Sequence, residues 1–389
     1  MFPHEPAEAD DVLLHYGEDH HLMGAVVPPI FQNSLFVFPN VAAFRRGFTA
    51  GDPYEKGFLY SRIHNPTLEI VERKLARLEG TDAAKVFGSG MAAISAAIFS
   101  AVKAGAHVVC VETVYGPTRQ LLKDYLPKFN VSVTFVDGCD VDEVVGAIQP
   151  ETTLIFLESP SSFLFRIQDL AAISAVARTR GITTVIDNSY ASPLFQQPAR
   201  HGIDIVVHSA TKYLAGHSDI VAGALCTSAD RMARILDNEL ALFGGILAPL
   251  PAWLLLRGMR TLAVRMRAHA ETGDAVANWL SEHPAVERVH HVGRPDHPQR
   301  ALIERQMSGH SGLLSFEPRN QDPVAVEAMV DRLRVFQIGV SWGGFESLVV
   351  PIAATCSKWS EPRQVVRLFC GLESPESLIR DLDQALSGG

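Results

Sequence analysis

Short apolar runs alternate with stretches of helical period through the middle of the chain. Runs at 107–113, 131–136, 153–158, 183–187, 203–208 and 222–227 have the length and the β-branched content of buried strands. Between most of them apolar residues recur at helical spacing, as at 117–126 and 170–180. Strands alternating with helices predict an α/β fold with a mostly parallel sheet covered on both faces. Ligands of such sheets gather at the carboxyl ends of the strands. Glu158, Asp187 and the segment from Ser209 to Lys212 all fall at such ends.

Beyond about residue 250 the pattern changes. Helical periodicity dominates "AWLLLRGMRTLAVRMRAHAETGDAVANWLSEH", then come short strands at 312–316 and 346–350 and a final helix near 375–386. This predicts a smaller α+β domain. The first sixty residues lack a clear period and read as an arm. The expected organisation is an arm over 1–60, a large domain over 61–250 and a C-terminal domain over 251–389. The uncharged stretch 240–256, "LALFGGILAPLPAWLLL", is shorter than the roughly 20 residues of a membrane span, and Gly244-Gly245, Pro249 and Pro251 interrupt it. It predicts a loop leading into a buried helix, with apolar surface of the kind a subunit interface uses.

Composition narrows the function classes. The chain has 389 residues, 47% hydrophobic and 20% charged, ordinary values for a soluble protein of two domains. A net charge of -9 without a basic run argues against a nucleic-acid partner. Five cysteines without a C-x-x-C pair fit a reducing, cytoplasmic setting. The N-terminus has neither the basic nor the apolar region of a secretion signal, and no membrane association is expected. His15, His20, His21, His290 and His291 lack metal-ligand spacing on a helix, so they are assigned to surface or loops and no metal is expected.

The chemistry centres on Lys212. A lysine after an apolar strand, in "HSATKYLAGHSD", can form a Schiff base with an aldehyde cofactor. Pyridoxal 5'-phosphate (PLP) needs that lysine, an anion cradle, an acid at the ring nitrogen and something flat over the ring. Ser89-Gly90 before a helical pattern offers an N-cap and a close backbone approach, and helix N-termini attract phosphate. Ser209 and Thr211 add hydroxyls. Asp187, 25 residues before Lys212, ends a strand and can keep a pyridine nitrogen protonated; taken alone it reads first as a turn aspartate before Asn188-Ser189. Tyr115 follows another strand and can stack on a ring. Tyr60 and Arg62, at i and i+2, point the same way in an extended segment and suit a phosphate grip.

In their joint order these segments resemble the PLP-dependent enzymes of cysteine and methionine metabolism, the cystathionine γ-synthase, γ-lyase and β-lyase group. The resemblance runs from "VVPPIFQNS" to "GLESPESLIRDLDQAL". Its most specific block is Ser209-Ala210-Thr211-Lys212-Tyr213 with Gly216-His217-Ser218-Asp219; "YSRIHNPT", "GSGMAAI", "YGPT", "DNSYASP" and "LLLRGMRTL" follow the family order. It implies the fold-type I architecture of PLP-dependent transferases. It implies that Lys212 holds PLP covalently and that Asp187 pairs with the pyridine nitrogen. Gly90, Met91, Ser209 and Thr211 would hold the phosphate, and Tyr115 would stack on the ring and share acid–base work with Lys212. Tyr60 and Arg62 would reach the phosphate of a neighbouring subunit, in a dimer and usually a tetramer. Ser341 and Arg367 would meet the substrate carboxylate. Apart from the resemblance, Trp342 and Phe345 read as an apolar wall of the pocket or as core.

Departures bear on the reaction. Many members carry Asn-Pro shortly after the E-[ST]-P motif, where this chain has Ser162-Phe163. That, with Ser341-Trp342-Gly343-Gly344, looks more like β-lyases. Val340 stands where γ-acting cystathionine enzymes often carry Glu, and Phe369-Cys370 replaces a small or β-branched pair. Cys370 reads as a buried apolar residue rather than a nucleophile. The expectation is a PLP-dependent carbon–sulfur lyase of the cystathionine β-lyase kind. The alternatives are a γ-acting sibling (cystathionine γ-lyase, cystathionine γ-synthase, methionine γ-lyase or O-acylhomoserine sulfhydrylase) and a non-catalytic PLP-binding relative.

Overall fold

Seven strands build the larger sheet: β1 (Ala83–Phe87), β2 (His107–Val111), β3 (Ser132–Val136), β4 (Thr152–Glu158), β5 (Thr183–Asp187), β6 (Ile205–His208) and β7 (Gly223–Thr227). The computed structural model describes residues 8–18, 22–46 and 58–388. The strand order is β1-β7-β6-β5-β4-β2-β3, and only the two pairs that β7 makes are antiparallel. Consecutive residues of the central strands, such as Val108 and Val109 or Leu154 and Ile155, are all buried. Because neighbours on a strand point to opposite faces, both faces of the sheet are covered.

The apolar runs located β2 to β7 but not β1. The middle of β1 is Lys85, whose charge breaks the run. Its buried amine pairs with Glu72 at 2.7 Å and bonds the Ile63 carbonyl at 3.2 Å. A buried charge persists in a strand only with such partners. The covering helices carry local start signals. Asn65 accepts from the Thr67 N–H and Pro66 opens Pro66–Glu79; Ser89 accepts from the Ala92 N–H and opens Gly90–Ala101; Asp169 opens Leu170–Thr179.

The second sheet has the order β10-β11-β12-β9-β8, with β8 (Val286–His290), β9 (Leu313–Pro318), β10 (Gln337–Ile338), β11 (Leu348–Ala354) and β12 (Arg363–Phe369). Its strands are antiparallel except for the pair β10 and β11. Val276, Leu280, Leu314, Phe316, Val366 and Leu368 form its separate core, beneath the helices Leu262–Glu282 and Pro375–Ser387.

The long helical pattern after 250 is two helices, Pro249–Met259 and Leu262–Glu282. Pro249 and Pro251 stand in the first turn of the former, where a missing N–H costs nothing. Leu242 and Phe243, just before it, are 74% and 65% exposed. Before residue 60 the chain forms the short helices Ala9–Leu14 and Val41–Arg46. Lys74 fastens this region through Glu18 at 3.0 Å, and Trp253 Nε1 donates to the Pro28 carbonyl at 3.0 Å. Among the described residues no helix is long and apolar enough to cross a membrane.

Candidate active site

The strand order reverses beside β2. β3 lies on one side of it, whereas β4, β5 and β6 follow on the other. A cavity of about 630 Å³ opens at this switch point, against the carboxyl ends of β4 and β5. Residues of the second sheet and of the loop that holds Ser341 close its other side.

Lys212 reaches into this space from the turn after β6. Its Nζ donates to Ser341 Oγ at 2.6 Å and lies 5.3 Å from the centre of the Trp342 ring. Burial and the charge of Arg367 bring the amine down to about 8, against the opposing pull of Asp187. A useful fraction of neutral amine therefore exists near neutral pH. Gly343, at φ +91°, lets the Ser341 loop lie on this backbone: a Cβ there would stand 2.8 Å from Lys212 C. Ser341 itself holds φ +84°, an uncommon conformation for a residue with a side chain.

Asp187 ends β5, where Ser189 donates to Oδ1 from its N–H at 2.9 Å and from its hydroxyl at 2.5 Å. Glu158 ends β4 in register with it. Burial raises both carboxyls above the usual range, and the charge of Asp187 helps carry Glu158 to about 8. The Tyr115 N–H donates to Glu158 Oε2 at 2.7 Å, and the Ser162 hydroxyl donates to Oε1 at 2.6 Å. Burial, Asp187 and Glu158 all raise the Tyr115 phenol. Glu158 thus organises three elements of the site. The signal available for it in the sequence was the one that marked Asp187, a carboxylate at a strand end.

The N-terminus of the helix Gly90–Ala101 and Ser209 form a tight corner. A Cβ on Gly90 would lie 2.9 Å from both Cβ and Oγ of Ser209, so glycine is required for this approach. Met91 lines the same wall. Thr211 is committed to backbone: its hydroxyl donates to the Ala222 carbonyl at 3.1 Å and accepts the Ala222 N–H at 2.9 Å.

Arg367 enters from β12. One Nη2 hydrogen bond at 2.8 Å goes to the Ser341 carbonyl, while its buried Nε has no hydrogen-bond partner. Buried guanidinium donors seldom remain unpaired, and a planar carboxylate satisfies them bidentately. Tyr60 and Arg62 do not line the cavity; Arg62 Cζ lies 5.5 Å from the centre of the Tyr60 ring, and Tyr60 is 44% exposed.

One histidine placement needs correcting: His290 is on β8, half-buried against Glu317. His291 lies in the loop after β8, as expected, and is fully buried there, its ring packed against His310 and donating to the Ser311 carbonyl. His15 is exposed; His20 and His21 lie outside the described residues. Cys370 is buried, and burial pushes its thiol up, away from nucleophilic use.

These residues fit PLP. A depressed lysine amine, a buried acid across from it and a helix N-terminus kept open by Gly90 share one cavity. Comparison with known proteins agrees. A family profile described as Cys/Met metabolism PLP-dependent enzyme matches residues 10–387. The chain is 40% identical to an L-methionine gamma-lyase of Pseudomonas deceptionensis, over 96% of each chain. It is 36% identical to a cystathionine gamma-lyase of Bacillus subtilis, over 93% of this chain and 94% of that one. A crystal structure of metY from Campylobacter jejuni, with pyridoxyl-lysine monophosphate in place, superposes with a TM-score of 0.91 at 28% identity, covering 98% of this chain and 100% of the other.

The relatives do not support the β-lyase-like expectation; both carry γ-acting names. The physical reason lies in what the Ser-Trp-Gly-Gly segment does here. Ser341 bonds Lys212, and Gly343 makes room for the Lys212 backbone. These residues report how a loop packs on the lysine, a need common to both eliminations.

Proposed function

The chain belongs to the Cys/Met metabolism PLP-dependent enzyme family, and from that premise we propose that it is a γ-acting carbon–sulfur lyase whose preferred substrate is L-methionine or a close thioether. It is a PLP-dependent enzyme of small sulfur amino acids. The observation that carries the finer reading is the cavity lining. Its acidic residues are Glu158 and Asp187, both at the strand ends, and the remaining wall is largely apolar, with Val221, Leu313, Val340, Val350 and Ile352. The distal ammonium of cystathionine would find no carboxylate along that wall, and an unpaired ammonium is costly to desolvate. A methyl thioether has no such need.

When bound, PLP supplies an electron sink that acidifies the substrate carbons next to it. Lys212 would hold it, Asp187 would keep the ring nitrogen protonated, and Gly90, Met91 and Ser209 would receive the phosphate; Thr211, expected there too, has its N–H and hydroxyl both given to the Ala222 carbonyl and braces the turn instead. Arg367 takes the substrate carboxylate on its Nε and Nη2, beside Ser341, and fixes which Cα bond faces Lys212. The neutral Lys212 amine removes the Cα proton, and a γ-elimination asks it also to move a proton at Cβ. Tyr115, across the cavity, completes the acid–base pair and delivers a proton to the departing thiolate. Trp342 walls off the lysine. With one water taken up to release the nitrogen as ammonia, the products are a thiol, 2-oxobutyrate and ammonia.

Tyr60 and Arg62 act in trans, at the phosphate of a neighbouring subunit, in a homotetramer built of active dimers. Their position outside this chain's own cavity and the exposed Leu242 and Phe243 support that assembly. The arm 1–60, large domain 61–250 and C-terminal domain 251–389 remain our division of the chain, and a cytoplasmic setting fits its unpaired cysteines. The direct test is kcat/KM for L-methionine against L-cystathionine. Comparable or higher values for methionine support the proposal. A hundredfold preference for cystathionine would reject it.

A further inference from the structure

Away from the cavity, side chains from three separate elements meet around one point. Asp274 lies on the helix Leu262–Glu282, His291 follows β8, and His310 precedes β9. Asp274 Oδ1 is 2.9 Å from His310 Nε2 and 3.7 Å from His291 Nδ1. One ligand atom from each residue falls within 4.8 Å of the others. Around a tetrahedral ion with bonds of about 2.0–2.1 Å, neighbouring ligand atoms stand roughly 3.3–3.4 Å apart, between the two observed separations.

His291 gives an independent sign of a ligand. Its ring is fully buried, and Nε2 donates to the Ser311 carbonyl at 3.1 Å. That bond leaves the lone pair on Nδ1, which has no hydrogen-bond partner and faces the Asp274 carboxylate. A buried lone pair aimed at a carboxylate oxygen is uncompensated, and a cation between the two would satisfy both. Gly293 keeps the space open: a Cβ there would stand 2.5 Å from Asp274 Oδ1 and 2.6 Å from His310 Nε2.

We propose that Asp274, His291 and His310 form a binding site for a late first-row divalent ion, with Zn²⁺ the best match to two imidazoles and one carboxylate. Imidazole donors disfavour Mg²⁺ and Ca²⁺, which take oxygen ligands. Asp274 and His310 are partly exposed, so the ion has a way in and an open coordination position. Its role is to clamp. It joins the helix Leu262–Glu282 to the segment between β8 and β9, and that segment also grips the larger sheet's side of the molecule. There the Ser308 N–H donates to the Phe195 carbonyl at 2.9 Å, and Gln306 Nε2 donates to the Gln168 carbonyl at 3.0 Å.

The test uses tag-free holoenzyme, stripped with a chelator and dialysed against micromolar ZnCl₂. The expected result is about one Zn²⁺ per chain, a raised Tm and an unchanged PLP absorbance. Asp274→Asn and His310→Gln, at partly exposed positions, should bind Zn²⁺ at least about tenfold more weakly. Cobalt substitution of the wild type needs no variant; an intense visible band of low-coordinate Co²⁺ supports the site, and a spectrum like that of aqueous Co²⁺ overturns it. No Zn²⁺ uptake by the wild type, or uptake and a Tm shift that persist in the double variant, would also overturn it.

Discussion

Glu158 and Asp187 stand side by side, in register, at the carboxyl ends of adjacent parallel strands. Burial raises both carboxyls, and the charge of Asp187 helps take Glu158 to about 8. Two like groups this close do not both ionise freely. The Ser189 bonds and the nearby charges of His208 and Lys212 pull the Asp187 carboxyl back down against its burial, whereas Glu158, taken to about 8, stays largely protonated at neutral pH.

A stability profile follows. The folded Glu158 pKa lies above its ordinary value of 4.5, so between there and about 8 the folded state holds more proton than the unfolded one. Its contribution is complete below that window and is lost as pH rises through about 8. The urea midpoint of the apo-protein should fall across this window, and Glu158→Gln should flatten the fall while keeping the Tyr115 contact. An unaltered slope in the variant would mean that Glu158 ionises normally.

Lys212 makes a kinetic prediction for cofactor uptake. With its amine lowered to about 8, the neutral fraction grows about tenfold per pH unit below that point and then saturates. The rate of PLP attachment to the apo-protein, followed by absorbance, should show this bend. A rate still rising steeply at pH 9.5 would place the lysine at its ordinary value. Lys212→Ala should bind PLP without covalent attachment, give no borohydride-reduced adduct by mass, and lose on the order of 10³-fold in kcat.

Arg367 holds an unpaired buried donor ready for a carboxylate. Arg367→Lys keeps the charge but not the planar fork. The expected loss is about 100-fold in kcat/KM, carried mainly by KM, with PLP absorbance unchanged. A loss confined to kcat would assign Arg367 to the reacting atoms instead of the carboxylate.

Shared sites give a mixing test. Arg62→Ala and Lys212→Ala are each expected to be inactive alone. Dissociated together and reassembled, each mixed pair has one site with both defects and one with neither, so activity should return in part. Mixed oligomers without activity would show that Tyr60 and Arg62 serve their own subunit.

The sheet and the lysine site were legible because their signals are local. An apolar run ending in a functional side chain describes β5 with Asp187, and β6 leads straight to Lys212. Where a charge sits inside a strand the same logic failed. Lys85 concealed β1, and Arg363 and Arg367 concealed β12, since their partners come from other elements. The cluster of Asp274, His291 and His310 was out of reach for the same reason, for its members meet only in the folded chain. The β-lyase reading drew no support from the relatives, whose names fit the γ alternative better, because Ser341 and Gly343 shape a loop on Lys212 and say little about the bond that breaks.

The most direct measurement of the central claim is the keto acid formed from L-cystathionine, which offers both a β and a γ carbon–sulfur bond to one enzyme. At high enzyme concentration the γ-acting account predicts 2-oxobutyrate with cysteine. Pyruvate with homocysteine as the main products would contradict it.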